Sequence, residues 1–358
     1  MDTRRVTQFL KGIAILMIVL CHSHQTFTLP GELNDILSFL QTGVQLFTIL
    51  SSYGLCFSYN KASVNWFGFM KQRFSKIAIL YWFAIALGAM YRFVYAIVMR
   101  YNILQEVNPM GIFVNALFLH GFSPDEVINN HIVRSGWYIG AIVILYAVFP
   151  FMFHLYFGKE KKWQTSRMYV FPLTIFAVTT ILRLALKRYE LFYPIEKFLS
   201  LLASFSLGFP LFELQTSDRI SMVKFPFCKG IVFVVLSWVL FFSKSAISCT
   251  YVFSIGVAFF FLFVSILKKH TLLRAINDNN IGIVKFFSTM GKYSYHIYLT
   301  HSYIAFDFCY VFTAVVSQIY SNDLLWFIVL QPIVIFLSLF VGKYFGVFVS
   351  QIMKFLKF

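Results

Sequence analysis

Apolar residues along the chain fall into ten runs separated by short polar stretches: 9–27, 36–58, 77–99, 136–157, 168–187, 196–214, 226–243, 248–267, 293–317 and 324–349. Each comes close to the roughly 20 residues that a helix needs to cross the hydrocarbon core of a bilayer. The pattern predicts an all-α, polytopic helical membrane protein with about ten transmembrane helices. The stretch 110–121, MGIFVNALFLHG, is apolar but too short to span, so one short interfacial or re-entrant segment is expected there. The first run follows Arg4 and Arg5 and ends in His22, Ser23, His24 and Gln25 instead of a small-residue cleavage pattern, so it reads as a retained helix and not as a signal peptide. Without internal repeats, low-complexity tracts or a long soluble stretch, residues 1–358 are expected to form a single membrane-embedded domain with no fused soluble domain.

Composition agrees with the pattern. Apolar residues make up 59%, aromatics 20% and charged residues only 12%, with a mean hydropathy of +0.75. A soluble domain carries about 25% charged residues, and this chain could not cover a water-facing surface. Soluble enzymes, disordered chains, disulfide scaffolds and nucleic-acid-binding modules are thereby excluded. The five cysteines, Cys21, Cys56, Cys228, Cys249 and Cys309, are odd in number and irregular in spacing. No CxxC pair occurs, so neither a disulfide framework nor a metal site is expected.

The net charge of +16 comes from Lys and Arg in alternate loops. Arg4, Arg5 and Lys11 precede or open the first run. Lys61, Lys71, Arg73 and Lys76 lie before the third, and Lys159, Lys161, Lys162 and Arg167 before the fifth. Further basic residues stand at 219, 224 and 229 and between 268 and 292, and Lys354 and Lys357 close the chain. The loop at 28–35 carries Glu32 and Asp35 and no base. By the positive-inside rule, the protein is expected in the cell (inner or plasma) membrane with both termini cytoplasmic. No basic run lies outside these short loops, so the charge does not point to nucleic acid.

Ionisable groups inside spans are costly and mark candidate functional positions. The first run holds Lys11, His22 and His24. Eleven residues separate Lys11 from His22, which is about three helical turns plus 20° and about 16 Å of rise, so the two share a face. His24, turned about 200° from His22, faces the other way. The stripe sets a cation near one membrane surface and a titratable base deep in the bilayer. A snorkelling lysine and a hydrogen-bonded structural histidine would give the same pattern. Arg73 and Lys76, at i and i+3, suit a phosphate, Arg as a fork and Lys as a point charge, and they equally suit a membrane anchor. Asp307, His301, His296 and His120 are further polar groups that are more often structural than catalytic.

Five segments in chain order resemble one family. Lys11-x10-His22-Ser23 is similar to the first-helix signature of the acyltransferase family 3 proteins, in which Arg usually stands first. Gly43-Val-Gln45-Leu-Phe-Thr-Ile-Leu-Ser51-Ser52-Tyr-Gly resembles the family's second-helix stretch, with Gln45 where an acidic residue is common. Arg73-Phe-Ser-Lys76 resembles its RxxR motif. Gly136-Trp137-Tyr138-Ile139-Gly140 resembles the start of its fourth span. Gly291-Lys-Tyr-Ser-Tyr-His296-Ile-Tyr-Leu-Thr-His301 resembles its late GxxSYxIYLxH motif.

The resemblance implies ten core spans and an O-acyltransferase of glycans. The expected reaction moves an acyl group, first of all acetyl from cytoplasmic acetyl-CoA, to a hydroxyl of a cell-surface or lipid-linked glycan. No bound cofactor is expected, and acetyl-CoA or another acyl-CoA is the co-substrate. On this reading Lys11, Arg73 and Lys76 hold the donor's phosphates. His22 is the catalytic residue, as general base or as the acyl carrier itself. Ser51, Trp137 or Tyr138 would steady the oxyanion, with His24, Gln45, His301 and Asp307 in support. Partners are then the acyl-CoA, the glycan acceptor and the lipid bilayer, and no nucleic acid. The alternative is a transporter or flippase of lipid-linked glycan, which would more often show paired repeats and broken helices in both halves. A glycan polymerase would be expected to carry a longer charged outer loop, and a non-catalytic membrane protein would give no reason for the Lys11–His22 stripe.

Overall fold

The computed structural model describes residues 3–61, 65–122, 132–134, 136–158, 165–186, 192–243, 250–278, 281–316 and 322–355. Lys159, Lys161, Lys162, Cys249 and Lys357, and residues 187, 248 and 317 at the ends of predicted runs, lie outside the described residues. Among the described residues all regular structure is helical. The helices are α1 (Thr3–Ser23), α2 (Gly31–Phe39), α3 (Gly43–Lys61), α4 (Trp66–Met99), α5 (Ile103–Glu106), α6 (Pro109–Ala116), α7 (Trp137–Phe157), α8 (Thr165–Leu186) and α9 (Phe192–Ser206). They continue with α10 (Gly208–Thr216), α11 (Pro226–Phe242), α12 (Tyr251–Lys268), α13 (His270–Asp278), α14 (Gly282–Lys292), α15 (Ser294–Ser302), α16 (Cys309–Val316) and α17 (Asp323–Phe355).

Each of the ten predicted runs coincides with helix. Among the described residues, eight helical segments are long and apolar enough to cross a membrane: Arg4–Thr26, Trp66–Met99, Trp137–Phe157, Ser166–Leu186, Ile195–Thr216, Tyr251–Lys268, Ser294–Val316 and Asp323–Phe355. The other two runs fall short for visible reasons. The run 36–58 is divided by a 3-10 turn at Leu40–Thr42, and its α3 part carries Gln45, Thr48, Ser51 and Ser52. The run 226–243 yields an apolar helix of only 17 residues, Pro226–Phe242. The short stretch at 110–121 forms α6, started by the Asn108 side chain capping Met110 and Gly111 N–H groups with Pro109 in the first turn, followed by a 3-10 turn at His120–Phe122.

The chain divides into two compact units, each built from separate stretches. The first comprises Met1–Thr7, Val44–Phe74 and Ala141–Val284; the second comprises Gln8–Gly43, Ser75–Gly140 and Lys285–Phe358. Phenylalanines dominate the first unit's core. Phe149 stacks on Phe209 with ring centres 5.5 Å apart, and Phe205 and Tyr156 pack against the same Phe209 ring. Its buried charges are paired: Arg167 Nη2 lies 2.5 Å from Glu213 Oε1, and the Tyr156 hydroxyl donates to the same carboxylate. Arg183 meets Glu196, again at 2.5 Å. An unpaired charge at such depth would cost several kcal/mol, so these partners are a condition of burial.

Close glycine crossings organise the second unit. A β-carbon on Gly12 of α1 would stand 1.9 Å from the Phe287 carbonyl oxygen, and one on Gly291 would stand 1.7 Å from the Gln8 carbonyl oxygen. Helices α1 and α14 therefore approach backbone to backbone, as small residues permit inside membranes. The same device seats α15. Gly342 and Gly346, one turn apart on α17, face Ile297 and His296, where a β-carbon would come within 2.7 Å of either side chain. A lattice of hydrogen bonds adds to this: Ser23 Oγ donates to Gln331 Oε1 at 2.8 Å, and the Tyr295 hydroxyl to the Ile77 carbonyl at 3.0 Å. Tyr81 donates to Asn115 Oδ1 at 3.0 Å and lies 3.2 Å from His120 Nδ1, which pins the 110–121 stretch onto α4.

Candidate functional site

Helix α1 runs unbroken from Thr3 to Ser23, so Lys11 and His22 lie on one continuous helix, about 16 Å apart along one face. Both are half-buried. His24 follows the end of α1 in a 3-10 turn and points elsewhere: its Nε2 sits 3.3 Å from Ser38 Oγ, and its Nδ1 sits 3.4 Å from the Leu20 carbonyl. The two histidines therefore part as the helical angle predicts. His24 is a buried, satisfied residue, whereas His22 Nδ1 is enclosed with no hydrogen-bond partner among the described residues.

What faces His22 is the late motif. Its ring lies 5.2 Å from that of His301 and 5.4 Å from that of Phe306, centre to centre. Residues five apart on an α-helix are about 140° out of phase, and both reach His22 because the helix changes form between them. Tyr303–Phe308 is a π-helical stretch, whose i→i+5 bonds bring residues five apart towards one face. His301 is fully buried, and its Nδ1 lies 2.8 Å from the Tyr298 carbonyl and 3.2 Å from the Ile297 carbonyl. Its Nε2 is enclosed and has no partner among the described residues.

The contacts extend on both sides of this pair. The Tyr298 ring packs 5.7 Å from His301 and 5.9 Å from Tyr138, whose ring in turn lies 6.1 Å from Trp137. On the other side the Arg134 guanidinium lies 5.6 Å over Phe306 and 3.1 Å from Asp307 Oδ1. Asp307 Oδ2 is 3.6 Å from Arg92, which also meets Glu106 at 3.4 Å. Within the second unit, then, Tyr138, His301, His22 and Asp307 belong to one contact network, and Lys11 and Lys76 belong to the same unit.

Three predicted residues fall in the first unit. Arg73 donates to Ser58 Oγ and lies 5.7 Å over Phe69. Gln45 is buried, and Ser51 is hydrogen-bonded to Tyr146. Lys76, one helical turn after Arg73 on α4, is exposed. The residues that sequence reasoning passed over are Arg92, Arg134, Glu106 and Phe306. Arg92 carried a usable signal, since it interrupts the apolar run at 77–99. Phe306 carried none, because only the π turn makes it a neighbour of His22.

A histidine packed against the rings of His301 and Phe306 is equipped to take a proton from a hydroxyl or to attack a carbonyl. Among the described residues no group of three or more His, Cys, Asp or Glu is arranged to hold a metal ion. A family model described as an acyltransferase domain matches residues 8–348 of the chain. No curated protein and no solved structure matches it.

Proposed function

Since the chain belongs to the family 3 acyltransferases, we propose that it is a membrane-bound O-acyltransferase that moves an acetyl group from cytoplasmic acetyl-CoA to a hydroxyl of a cell-surface or lipid-linked glycan. The observation that carries this reading is His22: a histidine on the Lys11 stripe, seated against His301 and Phe306 with an enclosed ring nitrogen unpartnered among the described residues.

A neutral hydroxyl is a weak nucleophile, and His22 supplies the base. Its other ring nitrogen, Nε2, takes the hydroxyl proton while the oxygen attacks the thioester carbonyl. The carbon–sulfur bond then breaks, the ester forms, and the proton passes from the imidazole to the departing thiolate. Trp137 or Tyr138, on the same network, is suited to steady the oxyanion. Both termini are cytoplasmic on the positive-inside reading. Lys11 and Lys76 then meet the donor's phosphates at the inner surface, and the thioester arm extends along α1 to His22. Arg73, one turn before Lys76, joins them on the spacing of the motif alone. The membrane is the cell (inner or plasma) membrane. Sugar hydroxyls are the acceptor class because this family's glycan chemistry resembles the need, and the aromatic wall around His22 suits sugar rings.

The test uses membranes holding equal amounts of the wild type, His22→Ala and His24→Ala, supplied with labelled acetyl-CoA. Label is then counted in the glycan and lipid-linked glycan fractions. Transfer lost by at least about 100-fold in His22→Ala but retained in His24→Ala is the expected result. Equal transfer by His22→Ala and wild type would remove His22 from the chemistry. No transfer by the wild type would remove this donor and acceptor pair, and a glycan-translocation assay would follow.

A further inference from the structure

We propose that His301 is the positioning residue of this site: its Nε2 accepts a hydrogen bond from Nδ1–H of His22 and so holds His22 in the tautomer whose Nε2 is the free base. The inference rests on the reading of His22 as a base and gives that base its orientation.

The hydrogen-bond inventory of His301 sets its role. Its Nδ1 faces two backbone carbonyls, at 2.8 and 3.2 Å, and a carbonyl oxygen only accepts. The proton of His301 is therefore on Nδ1, and Nε2 presents a lone pair. That lone pair is enclosed with no partner among the described residues. A buried acceptor left unfilled costs about 1–3 kcal/mol, so a nearby donor has a strong reason to fill it.

His22 provides that donor. Its Nδ1 is likewise enclosed and unpartnered among the described residues, and the two ring centres are 5.2 Å apart with planes inclined at 41°. Two imidazoles joined by one N–H···N bond have their centres about 5 Å apart, from a bond of about 2.9 Å and two ring radii of about 1.1 Å. The spacing is therefore already that of the bonded pair, and rotation of the His22 ring brings Nδ1 onto Nε2. One bond then satisfies two orphaned groups. The reverse arrangement is closed, because the His301 proton is engaged by the backbone. His22 consequently carries its proton on Nδ1 and exposes a lone pair at Nε2, the form that a general base needs.

The surroundings reinforce this choice. Phe306, 5.4 Å from His22, packs against it with a ring that offers no competing hydrogen bond. His301 sits on α15, which the glycines of α17 hold in place. The titratable and charged groups nearby are His24 on the His22 strand of chain, Tyr298 and Tyr138 beside His301, and Arg134, Asp307 and Arg92 behind Phe306. The carboxylate of Asp307 is engaged by the two arginines, so the orienting partner of His22 is an imidazole and not an acid.

The experiment has two arms on the full-length protein in detergent or nanodiscs. The first is nitrogen NMR of histidine-labelled protein, with the His22 and His301 signals assigned from the His22→Gln and His301→Gln variants. Expected is His22 protonated on Nδ1 in the wild type, and a mixture of both tautomers in His301→Leu. A wild-type His22 protonated on Nε2, or one unchanged by His301→Leu, overturns the proposal. This arm needs no substrate, so its failure is distinct from failure of the acyl-transfer reading. The second arm measures transfer kinetics. In His301→Leu kcat should fall by about 100-fold with KM for the donor changed less than about 3-fold. His301→Gln, whose side-chain oxygen can occupy the place of Nε2, should recover at least about 10-fold of that loss. Equal loss in the Leu and Gln variants at equal folded yield overturns the positioning role. Where His301→Leu yields no folded protein, the wild-type tautomer and the Gln variant decide.

Discussion

Arg134 lies 3.1 Å from Asp307 Oδ1, and through this contact a carboxylate inside the ninth predicted run is neutralised by an arginine from outside it. Arg92 completes the neutralisation from α4 at 3.6 Å. The partners differ in exposure: the Arg134 side chain is 36% exposed, and that of Arg92 only 7%. Breaking a buried pair strands the remaining charge, whereas a solvated partner costs little to lose. Asp307→Asn should lower unfolding stability by about 2–4 kcal/mol, and Arg134→Gln by less than about 1 kcal/mol. Denaturant titration of the purified protein in detergent measures both, and equal losses would contradict the assignment.

The crossing of α1 and α14 leaves no room for a methyl group. Gly12→Ala and Gly291→Ala would each set a β-carbon within 2 Å of a carbonyl oxygen, at 1.9 and 1.7 Å respectively, and backbone cannot yield as a side chain does. Both variants should accumulate poorly in membranes and melt well below the wild type. Gly54→Ala is the control, since nothing lies within 4 Å of its β-carbon position on the exposed face of α3. It should be neutral or gain up to about 1 kcal/mol from helix propensity. Fluorescence-detected size-exclusion with a temperature ramp reads all three.

His120 lies outside the eight spanning helices and is fully buried, with its Nδ1 3.2 Å from the Tyr81 hydroxyl. Burial disfavours its charged form and pushes its pKa from 6.5 down to about 4. Because the folded form resists protonation, the unfolded chain binds the extra proton between these values. Stability is therefore intact above about pH 6.5 and falls as the pH drops towards about 4. Melting curves over that interval should show a steeper pH slope for the wild type than for His120→Gln. Parallel slopes would exclude His120 as a contributor.

Lys11 is expected to act on binding of the donor and not on the chemical step. Lys11→Gln should raise KM for acetyl-CoA by about 10-fold and leave kcat within about 3-fold, the pattern of an interaction made equally in ground and transition states. The wild-type KM should also rise with salt, and the variant's should rise less. A fall in kcat at unchanged KM would move Lys11 into the chemistry.

Much of this architecture was legible because membrane helices advertise themselves by length and apolarity, and one helix's own geometry fixes which residues share a face. That His22 and His24 meet different partners was legible from helical rotation, but the 3-10 turn in which His24 stands was not. Contacts between distant stretches left weaker traces. Arg92 is visible as a charge in an apolar run, but its pairing with Asp307 joins positions some two hundred residues apart. The partnership of His22 with Phe306 depends on a π-helical turn, and no residue type at 303–308 announces one. Gly12 and Gly291 look like ordinary helix glycines until the helices cross.

The interleaving of the two units has a consequence for synthesis. His22 is made about 280 residues before His301, so the ring that packs against it is missing until that length of chain has followed. At about 5–20 residues per second, the first helix waits roughly 15 s to a minute in the membrane for its partner. No single cut in the gene separates the units, because their stretches alternate along the chain. A nonsense codon anywhere before position 301 leaves His22 without its neighbouring ring, even when every earlier helix has been inserted correctly.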